Sequence, residues 1–388
     1  MIEPERGFPE VEYRSRVENA QSLMAREGLD ALLLNTEPDV RYFSGFLTRF
    51  WESPTRPWFL VLPQSGLPIA VIPKIGAALM AKTWIADIRS WQAPDPVDDG
   101  VTLLAETLSE TLGGAGRVGV PMGQGTCLRM PLRDWHALKA RLPRIRFDDD
   151  SDIVKRLRMV KSEREIAKIR NACAIADRAF ARVPDFACSG TPLDRVFRRF
   201  QAVCLEEGAD WVPYLAGGAG QGGYDDVISP ATSAPLKAGD VLMLDTGLVH
   251  DGYFCDFDRN FSVGRPDDGT RAAHERLVDA VAAASEIARP GTIAADLFHA
   301  MDRVLSGGAG GADAGRLGHG LGMQLTEGLS LIPEDDTVLE TGMVLTLEPG
   351  LDRPGGRIMV HEENIAIRDG APAFLSRRAS RDITVLDG

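Results

Sequence analysis

The chain has 388 residues, 44% of them hydrophobic and 26% charged, which suits a globular protein of two domains with a large core. Its net charge of −13 argues against nucleic acid or an anionic membrane surface as a partner. No apolar run reaches ~18 residues, the opening Met1-Ile2-Glu3-Pro4-Glu5 lacks the basic and apolar regions of a signal peptide, and the cysteines are odd in number without a Cys-x-x-Cys; we expect no membrane span, no signal peptide and a reducing, cytoplasmic compartment.

Residues 11–28 form a predicted amphipathic helix that Gly28 ends, and Ala31-Leu32-Leu33-Leu34 a short buried strand. Strand-like runs over 58–63 and 68–72 and helix-like ones over 77–83 and 101–112 complete an α/β domain. The acidic stretch Asp148-Asp149-Asp150-Ser151-Asp152 reads as a solvated linker, so the domains are expected at 1–152 and 153–388. The second opens on Ser162 and Glu165, a capping box ahead of an amphipathic helix. Its halves then repeat. Gly190-Thr191 with Phe197 is matched by Gly291-Thr292 with Phe298, and each half reads helix, helix, hairpin. Gly218-Ala219-Gly220-Gln221-Gly222-Gly223 fits the dinucleotide pattern Gly-x-Gly-x-x-Gly, but no helix follows it, so we expect a flexible loop near the site. Residues 307–315 read as a mobile connection.

The repeat also carries the chemistry. Gly239-Asp240-Val241-Leu242-Met243-Leu244-Asp245 and Gly342-Met343-Val344-Leu345-Thr346-Leu347-Glu348 each run from a glycine through a buried strand to a carboxylate. A carboxylate ending an apolar strand is costly unless it is paired or binds a cation. Asp251-Gly252 signals a hairpin; with the turn centred between His250 and Asp251, Asp245 faces Asp256. A turn at Pro354-Gly355-Gly356 sets Glu348 opposite Glu362. Facing Cβ atoms lie roughly 4.5–5.5 Å apart, so four carboxylates on two hairpins require cations among them. A shared-proton carboxyl pair fits one such pair and fits two poorly. His319, between Gly318 and Gly320, is the fifth candidate. Oxygen ligands with one imidazole suit Mn²⁺, Fe²⁺, Co²⁺ or Zn²⁺, and the lack of thiolates argues against a structural zinc site. Asp251, Asp352 and Glu363 are expected on solvated faces. Cys255, on the opposite strand face from Asp256, is expected to pack.

Taken together, Asp245-Thr246-Gly247, Gly252 to Asp256, Gly318 to Gly322, Thr346 to Gly350 and His361 to Asn364 resemble the motifs of the pita-bread metallopeptidases: prolidase, aminopeptidase P and methionine aminopeptidase, with creatinase a relative that has lost the metals. The resemblance spans nearly the whole chain. It implies an α+β protein, with a C-terminal pita-bread (creatinase/aminopeptidase) domain of pseudo-twofold ααββ repeat preceded by an α/β creatinase-type N-terminal domain, to which the segment Pro38 to Phe46 is similar. It implies two divalent metal ions, Mn favoured over Fe, Co or Zn, held by Asp245, Asp256, His319, Glu348 and Glu362, with Asp256 and Glu362 bridging. Glu348 would also shuttle a proton. A homodimer is implied, in which one subunit's N-terminal domain covers the other's active site. There Trp51, Arg56 and Trp58 would bind a small anionic or zwitterionic substrate, against ordinary packing for each residue alone.

Four departures concern the substrate-handling residues. The family's second histidine is Thr326, which can donate a hydrogen bond but carries no charge. Residues 213–235 contain no histidine. Val360 stands where the family has arginine, and Asp258 where it has threonine. The expected function is a dinuclear metallohydrolase that cleaves a peptide or amide bond of a small substrate, Xaa-Pro peptidase-like, of dipeptidase or aminopeptidase P type. The alternative is a hydrolase or lyase acting on a small zwitterionic, osmolyte-like substrate whose cationic group Asp258 would hold. The five retained ligands disfavour a binding or scaffold protein.

Overall fold

The computed structural model describes residues 3–51, 57–307 and 315–387. It divides into two compact units, Glu5–Arg158 and Met159–Gly388, the latter joined by Met1–Pro4. The first unit runs α1 (Glu10–Glu27), β1 (Ala31–Leu34), α2 (Glu37–Ser44), β2 (Phe59–Pro63), β3 (Ile69–Pro73), α3 (Lys74–Met80), β4 (Asp87–Trp91), α4 (Val101–Thr111), β5 (Gly116–Val120), α5 (Leu132–Arg141), β6 (Ile145–Asp149) and α6 (Ile153–Met159). The strands form one sheet in the order β4-β3-β2-β1-β5-β6. β1 lies at its centre, antiparallel to β2 and parallel to β5, with all four residues buried; hence its unbroken apolar run. α3 starts at Lys74 rather than 77 because Pro73, with no N–H to donate, serves as its N-cap.

Three expectations need correction here. Asp148 to Asp152 is not a linker. Asp148 and Asp149 end β6, and Asp150 is buried with its carboxylate accepting from the backbone N–H groups of Asp152 and Val154 as α6 begins. The division falls at Arg158/Met159, not at 152/153, because Arg158 of α6 pairs with Asp39 of α2 at 2.8 Å, both buried. Trp51 and Trp58 are 6% and 1% exposed and pack on Phe46 and on each other within this unit. They fill a core and offer no ring face to a substrate. Arg56 lies outside the described residues.

The second unit opens with α7 (Glu163–Ala181), started by the expected capping box. There follow α8 (Leu193–Glu206), β7 (Trp211–Gln221), β8 (Asp240–His250), β9 (Tyr253–Phe254) and β10 (Phe257–Val263). The second half repeats the plan with α9 (Asp268–Ile287), α10 (Ala294–Ser306), β11 (Val344–Leu347), β12 (Gly350–Arg353), β13 (Arg357–Val360) and β14 (Glu363–Ala366). β15 (Ala373–Phe374) and β16 (Thr384–Leu386) close the chain. The first half's strands, joined by β16, pair in the order β16-β10-β8-β7, with β9 on β8. The second half's form the sheets β11-β14-β15 and β12-β13. α9 and α10 pack Leu277, Val281, Leu297, Phe298 and Met301 into one core with Met343, Leu345 and Leu347.

The glycine run 218–223 is not a free loop: residues to Gln221 belong to β7. A Cβ on neighbouring Gly217 would lie 2.1 Å from the Met243 carbonyl oxygen, so small residues here let β7 lie close to β8. Most of the glycine-rich stretch 307–315, residues 308–314, lies outside the described residues.

Candidate metal centre

The first hairpin turns one residue later than the sequence reading placed it. Asp251 and Gly252, with φ of 47° and 78°, form the two central residues of the turn, as a two-residue Asp-Gly loop requires. Asp245 therefore faces Asp258, not Asp256, across β8 and β10. The ladder is interrupted at Cys255 and Asp256. There the Asp256 N–H donates to Asn364 Oδ1 at 3.0 Å, and the Asn364 amide donates back to the Asp256 carbonyl. Asn364 lies on β14 and is fully buried, so the second half of the repeat holds a carboxylate of the first. In the second hairpin Leu347 faces Glu363 and Gly350 faces Val360 in one continuous register, which sets Glu348 across from Glu362.

His319 is placed by backbone. Its N–H donates to Thr346 Oγ1 at 3.1 Å, and its carbonyl accepts from the Thr346 N–H at 2.7 Å. A Cβ on Gly318, at φ 138°, would sit 2.3 Å from the Thr346 carbonyl oxygen. Gly318→Ala is therefore expected to cost about 1–3 kcal/mol and to weaken metal uptake through His319, checked by thermal melting and metal content; an unchanged variant would show that the backbone relaxes freely there.

Asp256, His319 and Glu362 each bring a ligand atom within 4.8 Å of the other two, and His319 Nε2 lies 3.3 Å from Asp256 Oδ2. The His319 Nδ1–H donates to the Gly320 carbonyl at 3.0 Å. Burial, then the Arg316 charge, lowers this imidazole to about 4, so at neutral pH Nε2 carries a lone pair. With Asp256 ionised, two acceptors then face each other, which is unfavourable until a proton or a metal cation lies between them.

Asp245, Asp256, Glu348 and Glu362 all have raised pKa values, first from burial; neighbouring carboxylates add to the rise, while His319 and Arg316 oppose it at Glu348. Tyr214 hydrogen-bonds to Asp245 and partly opposes the rise there. Among the described residues, the buried side-chain oxygens that lack any hydrogen-bond partner are Asp245 Oδ1, Asp256 Oδ1, Asp258 Oδ2 and Glu362 Oε1. All four belong to this one site. Orphaned anionic oxygens around a neutral imidazole are the donor set of a divalent first-row metal, and the residues fit that group.

The remaining expectations divide. Asp258 is buried, and the cation it meets is the chain's own. Its Oδ1 lies 3.1 Å from His361 Nδ1 and accepts from the Glu362 N–H at 3.0 Å. His361 Nε2 lies 3.4 Å from Glu363. Burial opposes the charge on this imidazole, but the bonds to Asp258 and Glu363 prevail and raise it to about 9. His361 thus engages Oδ1 of Asp258 and leaves Oδ2 without a partner. Glu363 and Asp251 are not solvated. Glu363 is buried with Arg259, His361 and Ser376, and Asp251 is buried against Lys168; only Asp352 is exposed. Cys255 is fully buried, as expected.

Thr326 is exposed, and its hydroxyl accepts from Arg316 at 3.3 Å. The next residue, Glu327, is buried and pairs with Lys161 at 2.9 Å. Sequence reasoning missed Arg316, Asn364 and Tyr214. The Arg316 charge acts on Asp256, His319 and Glu348 together, and a cation three residues before a glycine-flanked histidine was a usable signal. Asn364 stood in the His361–Asn364 motif without being given a role, and Tyr214 gave no signal.

The family model for metallopeptidase family M24 matches residues 167–369, and that for the creatinase/prolidase N-terminal domain matches 16–160. The probable dipeptidase PepE of Mycobacterium tuberculosis is 33% identical over 379 residues, covering 94% of this chain and 95% of that protein. The Xaa-Pro dipeptidase of Lactobacillus helveticus is 30% identical over 246 residues, 61% of this chain and 66% of that one. The crystal structure of dipeptidase PepE from Mycobacterium ulcerans superposes with a TM-score of 0.84 at 27% identity, covering 98% of this chain and all of that one. A prolidase from Thermococcus sibiricus, at 23% identity and a TM-score of 0.85 over 96% of this chain and 99% of that one, shares the fold. The chain belongs to metallopeptidase family M24, with the creatinase-type N-terminal domain and pita-bread C-terminal domain of that group. It is a metallohydrolase of peptidase type. No helix among the described residues is long and apolar enough to cross a membrane.

Proposed function

We propose that the protein is a dinuclear metallodipeptidase for small peptides of Xaa-Pro type, with Asp245, Asp256, His319, Glu348 and Glu362 holding two divalent ions, Mn²⁺ by resemblance. The observation that carries this is the 3.3 Å approach of His319 Nε2 to Asp256 Oδ2, lone pair to carboxylate, inside a ring of orphaned carboxylate oxygens. When bound, the ions supply polarisation of the scissile carbonyl and acidification of water. The chain's residues do the rest. Asn364 fixes the Asp256 backbone, and the Gly320 carbonyl fixes the tautomer of His319. Glu348 would take a proton and pass it to a leaving nitrogen; its half-buried position, while Asp245, Asp256 and Glu362 are buried, supports this reading.

Arg316 is exposed and held by Thr326 beside this site. It supplies the charge that threonine lacks and is placed to receive a carboxylate of the substrate. Arg316→Ala is expected to raise KM for a dipeptide at least ~10-fold with little change in kcat, the pattern of lost uniform binding. A dipeptide amide should not feel the change. Equal losses on acid and amide would remove Arg316 from carboxylate recognition. The osmolyte-like alternative loses part of its support, since His361 already engages Oδ1 of Asp258. Turnover of Xaa-Pro dipeptides by the Mn²⁺-loaded protein, against none on small betaines, tests the choice. The homodimer and the reducing, cytoplasmic setting remain part of this proposal; the five cysteines form no disulfide, and sedimentation would test the dimer.

A further inference from the structure

The five-residue set leaves one buried carboxylate of the site without a task for half its atoms. Asp258 faces Asp245 directly across the β8–β10 ladder, so both side chains leave the same face of the sheet. It is 1% exposed. Its two oxygens differ in their surroundings. Oδ1 is occupied by the Glu362 N–H and His361 Nδ1, whereas Oδ2 has no partner. Its charge also raises Asp245, Asp256, Glu348 and Glu362. A buried carboxylate oxygen without a donor costs several kilocalories per mole unless a cation reaches it.

We infer that Asp258 is a sixth ligand-bearing residue of this centre, its Oδ2 taking one of the ions while its Oδ1 holds the Glu362 backbone and His361. The inference rests on the reading that the site holds divalent metal. Asp258 then does two jobs with one side chain: it orients the Glu362 backbone and adds an anionic oxygen to the coordination set. His361, inserted between Asp258 and Glu363, offsets the added charge from the side away from Asp245. The ions should accordingly be hard, oxygen-preferring divalent ions of high coordination number, Mn²⁺ before Zn²⁺.

The test separates ligation from positioning with Asp258→Asn. The amide oxygen can replace Oδ1 and keep both hydrogen bonds, but the amide nitrogen at the Oδ2 position cannot bind a cation. Full-length protein stripped with chelator would be titrated with Mn²⁺ by calorimetry and, separately, loaded with Co²⁺ for its visible spectrum. We expect one of two Mn²⁺ sites to weaken at least tenfold and Co²⁺ absorbance per ion to rise as a coordination position is lost. Unchanged affinity at both sites with an unchanged spectrum would overturn the inference and leave Asp258 a positioning residue. Wild-type protein that takes up no Mn²⁺ would instead overturn the underlying metal reading. A crystal structure of the Mn²⁺-loaded wild type decides the matter even if the variant does not fold: Oδ2 in the coordination sphere supports it, and Oδ2 outside sinks it.

Discussion

Asp256→Asn is expected to abolish metal binding and hydrolysis together while leaving the fold intact. The side chain keeps its size, and the backbone bonds to Asn364 do not involve the carboxylate. In the wild type, Asp256 Oδ2 stands 3.3 Å from His319 Nε2. An amide placed there donates its own N–H to that nitrogen and satisfies the imidazole that otherwise awaits a cation. The variant closes the site on itself. Activity should fall by at least ~10²–10⁴-fold, the scale of one group's contribution to proton transfer. The metal-free variant should melt no lower than the metal-free wild type, since a crowded charge is gone. It should also lose the gain that ligand gives, about 2.7 kcal/mol at a hundredfold excess over Kd. Two ions per chain with ordinary turnover in the variant would count decisively against the assignment.

Stripped of metal, the wild-type protein is expected to lose stability as pH rises from 6.5 to 9. Burial and mutual repulsion raise Asp245, Asp256 and Glu362, while Asp258 and Glu363 raise His361 to about 9 against the effect of burial. A group whose pKa is higher in the folded chain favours folding at low pH, and the benefit disappears as pH climbs through the folded value. His274 and His319, both lowered to about 4, and Glu363, lowered to about 2, act in the opposite sense. Their effect ends near the unfolded values of ~6.5 and ~4.3, outside this window. One pKa unit is about 1.4 kcal/mol, and ~1 kcal/mol moves Tm by ~2–4 °C in a domain of this size. A fall above ~4 °C is therefore expected in chelator and a much flatter profile in Mn²⁺, where cations take the place of protons. Calorimetry across the window checks this; a flat metal-free profile would show that the carboxylates find relief elsewhere.

Both results depend on features that differ in how far the sequence exposes them. The buried strands β8 and β11 were legible because an apolar run ending in a carboxylate has few innocent explanations, and His319 because glycines frame it. The register of the first hairpin was half legible. Asp-Gly marks the turn, but only the positive φ of both residues shows that they are its centre, and one residue's slip exchanges Asp256 for Asp258 as the partner of Asp245. The Asp258–His361–Glu363 chain was not legible, since a buried imidazole between two carboxylates looks in sequence like three polar residues near a turn. Trp51 and Trp58 misled for the converse reason. Aromatic residues beside an arginine suggest a binding surface, and only packing on Phe46 shows them to be core.

Asp245 and Asp256 belong to the first half of the repeat, and His319, Glu348 and Glu362 to the second. Ions held among them, as proposed, would therefore do more than chemistry: they would tie two segments of chain roughly a hundred residues apart. A cross-link closing a loop of ~100 residues is worth about 4–5 kcal/mol of chain entropy, so the loaded centre acts as a removable staple. The halves are also joined without metal, through the Asn364–Asp256 bonds, the pairing of β16 with β10 and a shared core, so loss of the ions should lower the melting temperature of both together rather than part them.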